Sequence, residues 1–434
     1  MKLIFFVPLL DYEPPGTTKI SESSGAKPEI REFFDLLQSK GDQIRSSLSE
    51  PVHSDLKIFL ESHDWPSWKF DLETWQLAGN SGFEKSQRSD KSCKVIAKIN
   101  LLHASIVKKD IGLVKLITKL AKQKGQQVLD ALLNEEVNPI LAEGWQLAAR
   151  YKWILKASAI HFATYWHPES LVHLLNIKPE LMNRPTGSIK ESNEQKNSQD
   201  LNGPNHFTPL HVASTLENKA IPTSILINKR ANVEAKDFEN KTPLHIAARN
   251  GCTYKVMALL YDGNANVVPL DIKRETPLHQ AKNSKIIDLL LTKATTKQIL
   301  EIEDNNTETP LFDKILLNHP SSLNKYLNKM VTSNDTDADV HDQHLTFNLS
   351  MFNSIKNEKQ NYLDKHIALI KKGSQQLLMH PLMRLFISLK WQPHKIRYQT
   401  NFFIFLAFVL IFTIHGAICI DFLQCEDGKE GELF

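Results

Sequence analysis

The stretch that decides the fold is Thr242-Pro243-Leu244-His245-Ile246-Ala247-Ala248-Arg249-Asn250-Gly251. Its first four residues recur along the chain in near-identical form, at spacings of 34, 34 and 33 residues. A tetrapeptide repeated at so regular an interval is typical of a protein built from stacked, similar units. The four copies are Thr208-Pro209-Leu210-His211, Thr242-Pro243-Leu244-His245, Thr276-Pro277-Leu278-His279 and the weaker Thr309-Pro310-Leu311-Phe312.

Each residue type of the motif suits the start of a helix. Threonine can cap the helix and bond to the histidine, proline has no N–H to leave unpaired in the first turn, and leucine enters the core. In the copy at Thr242 the first helix is expected to end at Asn250-Gly251, and the second, near 253–261, at Asp262-Gly263. Two helices at this period are the signature of ankyrin repeats, so the sequence predicts an all-α ankyrin-repeat solenoid.

Two degenerate copies precede the clean ones, at Leu102-His103-Ala104-Ser105 and Ala159-Ile160-His161-Phe162-Ala163. Residues 184–205 are dominated by polar side chains and predict a disordered insertion. The predicted organisation is a flexible leader at 1–30, a helical region with degenerate repeats at 31–183, the insertion at 184–205, ankyrin repeats at 206–330, a linker and pre-membrane helix at 331–400, a transmembrane helix at 401–420 and an extracellular tail at 421–434.

Composition excludes several classes of protein. The net charge of +3 is spread over 434 residues, and no basic stripe with interleaved aromatic residues suggests nucleic-acid binding. Four scattered cysteines predict neither a disulfide framework nor a zinc site. The apolar start of the chain, with Pro8 inside it and no small-residue cleavage site after it, does not predict a secretory signal.

The repeated histidines raise the question of a metal site. One histidine per repeat, each on its own helix, favours a structural hydrogen-bonding role, so we expect no metal and no cofactor. We also expect no catalytic residues and no enzymatic activity, because phosphate loops, nucleophile elbows and paired carboxylates are missing from the sequence. The string His341-Asp342-Gln343-His344 lacks the cysteine of membrane acyltransferases.

A membrane segment follows the repeats. Phe402 to Ile420 contains nineteen residues without formal charge, which nearly matches the thickness of a hydrocarbon core. Basic residues precede it and acidic residues follow it, so the positive-inside rule places the amino-terminal side in the cytoplasm. A short strand is expected within 344–352 and a helix at 359–371. The pre-membrane helix is expected to carry the coupling residues Pro381, Leu382, Leu385, Phe386, Leu389 and Trp391.

Residues 376–403 resemble a known channel family. Gln376-Leu377-Leu378-Met379-His380-Pro381-Leu382, Phe386-Ile387-Ser388-Leu389-Lys390-Trp391 and Tyr398-Gln399-Thr400-Asn401-Phe402-Phe403 are similar to the pre-S1 and first transmembrane helices of ankyrin-type transient receptor potential (TRPA) channels, in particular the insect Painless and Pyrexia group. The resemblance implies a subunit of a homotetrameric, calcium-permeable, nonselective cation channel of the plasma membrane. Its expected role is sensory transduction of noxious heat, chemical or mechanical stimuli.

The resemblance leaves alternatives open. Family members span the membrane six times, whereas this chain has one span, so we expect a fragment or a truncated form that holds sensor and coupling parts. No cysteine lies between Cys252 and Cys419, so weak direct activation by thiol-reactive compounds is expected. The alternative function is a single-span ankyrin scaffold that holds protein partners at the plasma membrane through exposed hairpin and concave-face residues.

Overall fold

The computed structural model divides into two compact units, Met1–Glu308 and Thr309–Phe434, which are described separately. Helices dominate, with few strands, which confirms the all-α class of fold with ankyrin repeats. The structure describes residues 18–22, 28–30, 32–33, 52–76, 93–137, 139–140, 156–187, 206–216, 220–304, 311–333, 345–347 and 379–427.

The described part of the first unit contains five successive pairs of helices. Neighbouring first helices contact one another in chain order, which is the arrangement of a solenoid. The pairs are α2 (Leu101–Val107) with α3 (Ile111–Lys124), α5 (Ala159–Trp166) with α6 (Pro168–Ile177), α7 (Pro209–Thr215) with α8 (Ile221–Asn228), α9 (Pro243–Asn250) with α10 (Thr253–Met257), and α11 (Pro277–Gln280) with α12 (Ser284–Lys293).

The core of the stack consists of apolar side chains from both helices of each pair. The motif leucines Leu210, Leu244 and Leu278 are buried, as are Val256 and Leu259 on a second helix. Burying one such side chain contributes about 1.5–3 kcal/mol. Because each pair exposes this face until a neighbour covers it, stability depends on contacts between repeats.

The second helix of the repeat that begins at Thr242 ends differently from the prediction. After α10, residues Ala258–Asp262 continue as a π turn, and the Gly263 N–H donates to the Ala258 carbonyl over 2.9 Å. The left-handed residue is Asn264, with φ of 49°, and not Gly263. Gly263 serves a different need, since an added Cβ would lie 2.9 Å from both the Leu259 carbonyl oxygen and the Val233 side chain.

A four-stranded antiparallel sheet precedes the stack, and the sequence patterns did not predict it. The strands are β1 (Thr18–Glu22), β2 (Lys69–Gln76), β3 (Cys93–Asn100) and β4 (Pro139–Ile140), paired in that order. Strand β1 lies inside the predicted flexible leader, and β2 and β3 lie inside the predicted helical region. Backbone pairing between segments distant in sequence satisfies their hydrogen bonds, and helical periodicity carries no information about such pairing.

Aromatic residues pack beside this sheet. Helix α1 (Val52–Ser62) contacts α3, and the short 3-10 turn Trp65–Ser67 follows it. The rings of Phe33 and Trp68 lie 5.5 Å apart, and the Lys124 ammonium lies 5.5 Å from the Trp65 ring centre. This cluster adds a satellite core at the amino-terminal end of the repeats.

Further helices extend the chain beyond the pairs. Helix α4 (Gln126–Asn134) follows the first pair, and α13 (Thr296–Asp304) follows the last. The second unit contains α14 (Leu311–Asn318), the 3-10 turn Pro320–Ser322 and α15 (Leu323–Lys329), then β5 (Val331–Ser333) paired with β6 (Leu345–Phe347). Strand β6 lies inside 344–352, where a short strand is expected.

The longest helix is α16, which runs without interruption from Pro381 to Asp427 over 47 residues. The sequence predicted a pre-membrane helix and a separate transmembrane helix, so one continuous helix is a correction. Within it lies the segment His394–Ile420, whose most apolar 18-residue window has a mean hydropathy of 2.6 and contains no buried residue. By length and composition this segment is able to cross a membrane.

Several predicted features fall outside the described residues. They are the amino-terminal end of the leader, the insertion from residue 188 onward, Thr309 and Pro310 of the weakest motif, the string 341–344, the helix at 359–371 and the tail beyond Asp427.

Candidate functional site

The clean repeats place the motif residues in one recurring arrangement. Thr208, Thr242 and Thr276 each precede a helix whose first residue is the motif proline, and the histidine three residues later closes a capping box. In the first copy, His211 Nδ1 lies 2.9 Å from Thr208 Oγ1 and 3.2 Å from the Thr208 backbone nitrogen. Because Nδ1 accepts the backbone N–H, the ring proton resides on Nε2.

The other ring nitrogen joins one repeat to the next. His211 Nε2 lies 3.0 Å from the Lys241 carbonyl oxygen, and His245 Nε2 lies 3.2 Å from the Glu275 carbonyl oxygen. Both steps span thirty residues, so each histidine bonds the loop residue that directly precedes the following motif. With both nitrogens engaged, His211 and His245 act as structural cross-links between repeats.

The two degenerate repeats also have a capped histidine, with a different capping residue in each, but of the two only His161 bonds the following repeat, because His103 Nε2 has no hydrogen-bond partner among the described residues. Ser158 replaces threonine beside His161, whose Nε2 lies 3.0 Å from the Phe207 carbonyl oxygen. Asn100 caps α2 and lies 2.6 Å from His103 Nδ1 through its Oδ1. The sequence predicted these two segments as degenerate repeats, although both had lost the threonine and proline of the motif, but it made no prediction about the role of their histidines.

Burial keeps these histidines neutral. It lowers the pKa of His103 to about 3 and the pKa values of His161, His211 and His245 to about 4. Burial is the largest cause in each case, because the imidazolium form loses its hydration. At neutral pH His161, His211 and His245 therefore hold the Nε2-protonated tautomer that their cross-links require, whereas the His103 Nδ1–H donates to the Asn100 oxygen.

Two surface loops connect consecutive repeats. In each, an aspartate side chain accepts two backbone N–H groups: Asp237 Oδ1 lies 2.9 Å from Glu239 N and 2.7 Å from Lys241 N. Asp271 makes the equivalent bonds within its own loop, at 2.9 and 2.8 Å. The Ile272 N–H donates to the Glu239 carbonyl over 3.0 Å, so the two loops are joined as one surface.

These loops present apolar side chains to solvent. Phe238 is 55% exposed and Ile272 is 59% exposed, and the two occupy the same position of their loops, 34 residues apart. Burial of Asp237 raises the pKa of its carboxyl to about 6. Two hydrogen-bonded loops that each expose an apolar side chain are suited to contact a protein partner.

A buried lysine was missed by the sequence patterns. Lys255 on α10 is fully buried, and its Nζ lies 2.7 Å from the Ala213 carbonyl oxygen and also bonds the Leu216 carbonyl. Asn250 Nδ2 adds a bond to the Ser214 carbonyl over 3.0 Å. Together these donors satisfy carbonyls at the carboxyl-terminal end of α7, where a positive charge is also favoured by the helix dipole.

The predicted coupling residues divide into two groups on α16. Leu382 and Phe386 are buried, and the sequence patterns did not single out Met383, which is buried beside them. Leu385 is half-buried. Pro381 opens the helix at an exposed position, and Leu389 and Trp391 are also exposed, so the buried face is shorter than predicted.

A comparison with protein families matches the repeats. A family model described as "Ankyrin repeats (3 copies)" matches residues 160–271, which covers one degenerate and two clean copies. Among curated proteins, no sequence matches this chain. The fold and the match define an ankyrin-repeat protein with one candidate membrane helix among its described residues. Ankyrin repeats generally mediate interactions between proteins.

Proposed function

We propose that the chain is a subunit of a calcium-permeable, nonselective cation channel of the plasma membrane that detects noxious heat, chemical or mechanical stimuli. The observation that carries the proposal is the continuity of α16. Its first turns bury Leu382, Met383 and Phe386 within the second unit, and the same helix continues into the apolar segment His394–Ile420. The resemblance of residues 376–403 to TRPA channels supports the same assignment.

In this mechanism the repeats act as the sensor and α16 as the coupling rod. Stacked repeats contact only their neighbours and flex along their length. A continuous helix transmits rotation or translation over its length, because its backbone hydrogen bonds are made internally. The amino-terminal side of the apolar segment lies in the cytoplasm in this proposal, and the chain assembles with other subunits of the channel.

The test is electrical. The complete gene product is expressed in cells, and Ca²⁺ entry and whole-cell current are recorded on heating, membrane stretch and exposure to irritants. A stimulus-evoked cation current supports the proposal. Leu385→Pro breaks the helix interior and is expected to abolish the evoked current while surface expression is retained, and Leu385→Ala, which keeps the helix, is expected to preserve it. A surface-expressed protein that gives no current under any stimulus would refute the channel.

A second candidate is a scaffold that tethers protein partners at the plasma membrane. The exposed side chains of Phe238 and Ile272 favour it, since exposed apolar side chains on neighbouring loops can bind a protein partner. A partner retained by the wild-type protein should be lost by the double variant Phe238→Ser, Ile272→Ser. Tyr254→Ser, at a 76% exposed position outside the loops, is the matched control and should retain the partner.

A further inference from the structure

The residue immediately before α16 connects two helices of the second unit. His380 Nδ1 lies 3.2 Å from the backbone nitrogen of Leu382, and His380 Nε2 lies 2.9 Å from Asn328 Oδ1 on α15. Pro381, the first residue of α16, has no N–H, so the Leu382 N–H is the first donor of the helix that needs an acceptor. His380 supplies that acceptor and so caps α16.

The two contacts define the protonation state of the ring. A backbone N–H can only donate, so Nδ1 accepts from it and carries no proton. The ring proton is then on Nε2, which donates to the amide oxygen of Asn328. Protonation of Nδ1 would place two N–H groups against each other and would remove the cap while the bond to Asn328 stays possible.

The surroundings of His380 disfavour a positive charge. The side chain is 6% exposed, and burial lowers its pKa below the ordinary value. The charged residues on the three helices of the second unit near it in sequence or contact are Lys325 and Lys329 on α15, Asp313 and Lys314 on α14, and Arg384 on α16, but burial is the cause of the lowered pKa. The amino-terminal end of a long helix also repels a cation.

We propose that His380 is a proton-operated latch that holds the start of α16 against α15 when neutral and releases it when protonated. The proton comes from solvent and binds Nδ1, and no covalent bond is made or broken. The released state loses the cap of Leu382 and gains a cation at the helix start. Acidification therefore loosens the contact between α15 and the start of α16, the helix that continues into the apolar segment.

The latch closes as the pH rises and opens as the pH falls, because the His380 ring is neutral in the latched state. In the released state the imidazole has its ordinary pKa of about 6.5. In the latched state protonation is harder, so the released state binds more protons. The latch is therefore fully closed above about pH 6.5 and opens progressively as the pH falls below that value.

Hydrogen exchange of the full chain in detergent micelles tests the latch. Exchange of the amides of residues 382–386 is measured by mass spectrometry at pH 7.5 and 5.0, each divided by the intrinsic rate at that pH. We expect the corrected exchange of this segment to rise several-fold, on the order of tenfold, at pH 5.0. Amides of residues 404–412 on the same helix are the internal reference and are expected to change little.

Two variants distinguish the latch from general acid instability. His380→Asn keeps an acceptor at the position of Nδ1 for the Leu382 N–H, loses the bond to Asn328 and cannot titrate, so its exchange is expected to be the same at both pH values. Asn328→Asp places a carboxylate beside Nε2 and is expected to move the opening midpoint to lower pH, because it stabilises only the latched imidazolium. An unchanged wild-type exchange, or a full acid response retained by His380→Asn, would overturn the proposal.

If His380→Asn does not fold, the midpoint shift of Asn328→Asp decides alone, and no shift overturns the proposal. Exchange is read without any ionic current, so the result is independent of the proposed channel function. A chain that conducts no ions can still show the latch, and a channel can still conduct without it.

Discussion

The Lys255 ammonium nitrogen lies 2.7 Å from the carbonyl oxygen of Ala213 in the preceding repeat, at the end of α7. A fully buried lysine is costly unless hydrogen bonds compensate for lost hydration. Here it satisfies carbonyls that a helix end leaves without intrahelical partners. The contact therefore fixes two neighbouring repeats in register.

Replacing this ammonium is expected to destabilise the stack. Lys255→Met retains most of the side-chain volume but leaves the Ala213 and Leu216 carbonyls without their donor, at a cost of about 1–3 kcal/mol. Urea unfolding followed by circular dichroism measures the change. Lys285→Met, at an exposed position of α12, is the matched control and is expected to stay within about 0.5 kcal/mol of wild type. Equal stability of the two variants would contradict the role of Lys255.

The stack is expected to lose stability in mild acid. Histidines 103, 161, 211 and 245 have pKa values lowered by burial to about 3 or 4, against about 6.5 when unfolded. The unfolded chain therefore binds more protons between these values, so stability is fully present above about pH 6.5 and falls as the pH drops toward 4. Each histidine contributes a slope of about 1 kcal/mol per pH unit near the middle of that range.

Urea unfolding at pH 7.5, 6.0 and 5.0 checks this slope. His245→Gln removes one titrating group and is expected to lower stability at pH 7.5 while making the pH dependence shallower. His394→Gln, at an exposed position on α16, is the control and should leave the slope unchanged. A free energy of unfolding that is flat from pH 7.5 to 5.0 would show that the ring cross-links do not require neutral histidines.

The loop carboxylate Asp237 is expected to affect the pH dependence of stability in the opposite direction from the buried histidines. Burial raises its pKa to about 6, so the folded state binds its proton more readily than the unfolded state and gains stability as the pH falls through that value. Asp237→Asn keeps an acceptor for Glu239 N and Lys241 N without the desolvated charge. It is expected to be as stable as wild type or more stable at pH 7.5.

Comparing Asp237→Ala with Asp237→Asn separates the effect of the carboxylate charge on stability from the effect of its hydrogen bonds. It removes the acceptor of both backbone N–H groups and is expected to cost about 1–3 kcal/mol. Thermal unfolding at pH 7.5 ranks the two variants, with Asp262→Asn at an exposed position as the control. If the asparagine variant were as unstable as the alanine variant, the carboxylate charge and not the acceptor geometry would hold the loop.

Charged substitutions within the apolar part of α16 are expected to release the protein from membranes. Val409→Arg with Leu410→Arg places two cations near the middle of His394–Ile420, at a cost of about 2.5–3.5 kcal/mol each. Gln399→Arg, nearer the amino-terminal end, is the control and should remain membrane-bound. Carbonate extraction of cell membranes measures the result, and a double-arginine variant that stays in the pellet would argue against a spanning helix.

The local parts of the fold could be predicted from sequence, and the long-range parts could not. Threonine, proline and histidine at fixed spacing dictate a capped helix, so the repeats were found from residues 208–211 onward. The cap of the helix that carries His103 was not predicted, because asparagine takes the place of the motif threonine at position 100. The amino-terminal sheet was not predicted for another reason. Strands β2 and β3 pair although residues 77–92 separate them, and helical periodicity carries no information about such pairing.

Side-chain contacts between residues that are distant in sequence could not be predicted either. Lys255 carries the charge of a surface residue, and only the arrangement of the preceding helix end explains its burial. Asn328 and His380 are separated by 52 positions, and no periodicity relates them. The continuity of α16 was not predicted, because its apolar faces before and after the polar residues 392–401 were considered separately.

The orientation of α16 in a membrane tests the central claim most directly. One epitope is placed before Met1 and another after Phe434, and each is labelled with antibody in intact and in permeabilised cells. The account predicts that the carboxyl-terminal epitope is labelled in intact cells and the amino-terminal one only after permeabilisation, because basic residues precede the apolar segment. The reverse pattern, or both epitopes inaccessible in intact cells, would contradict it.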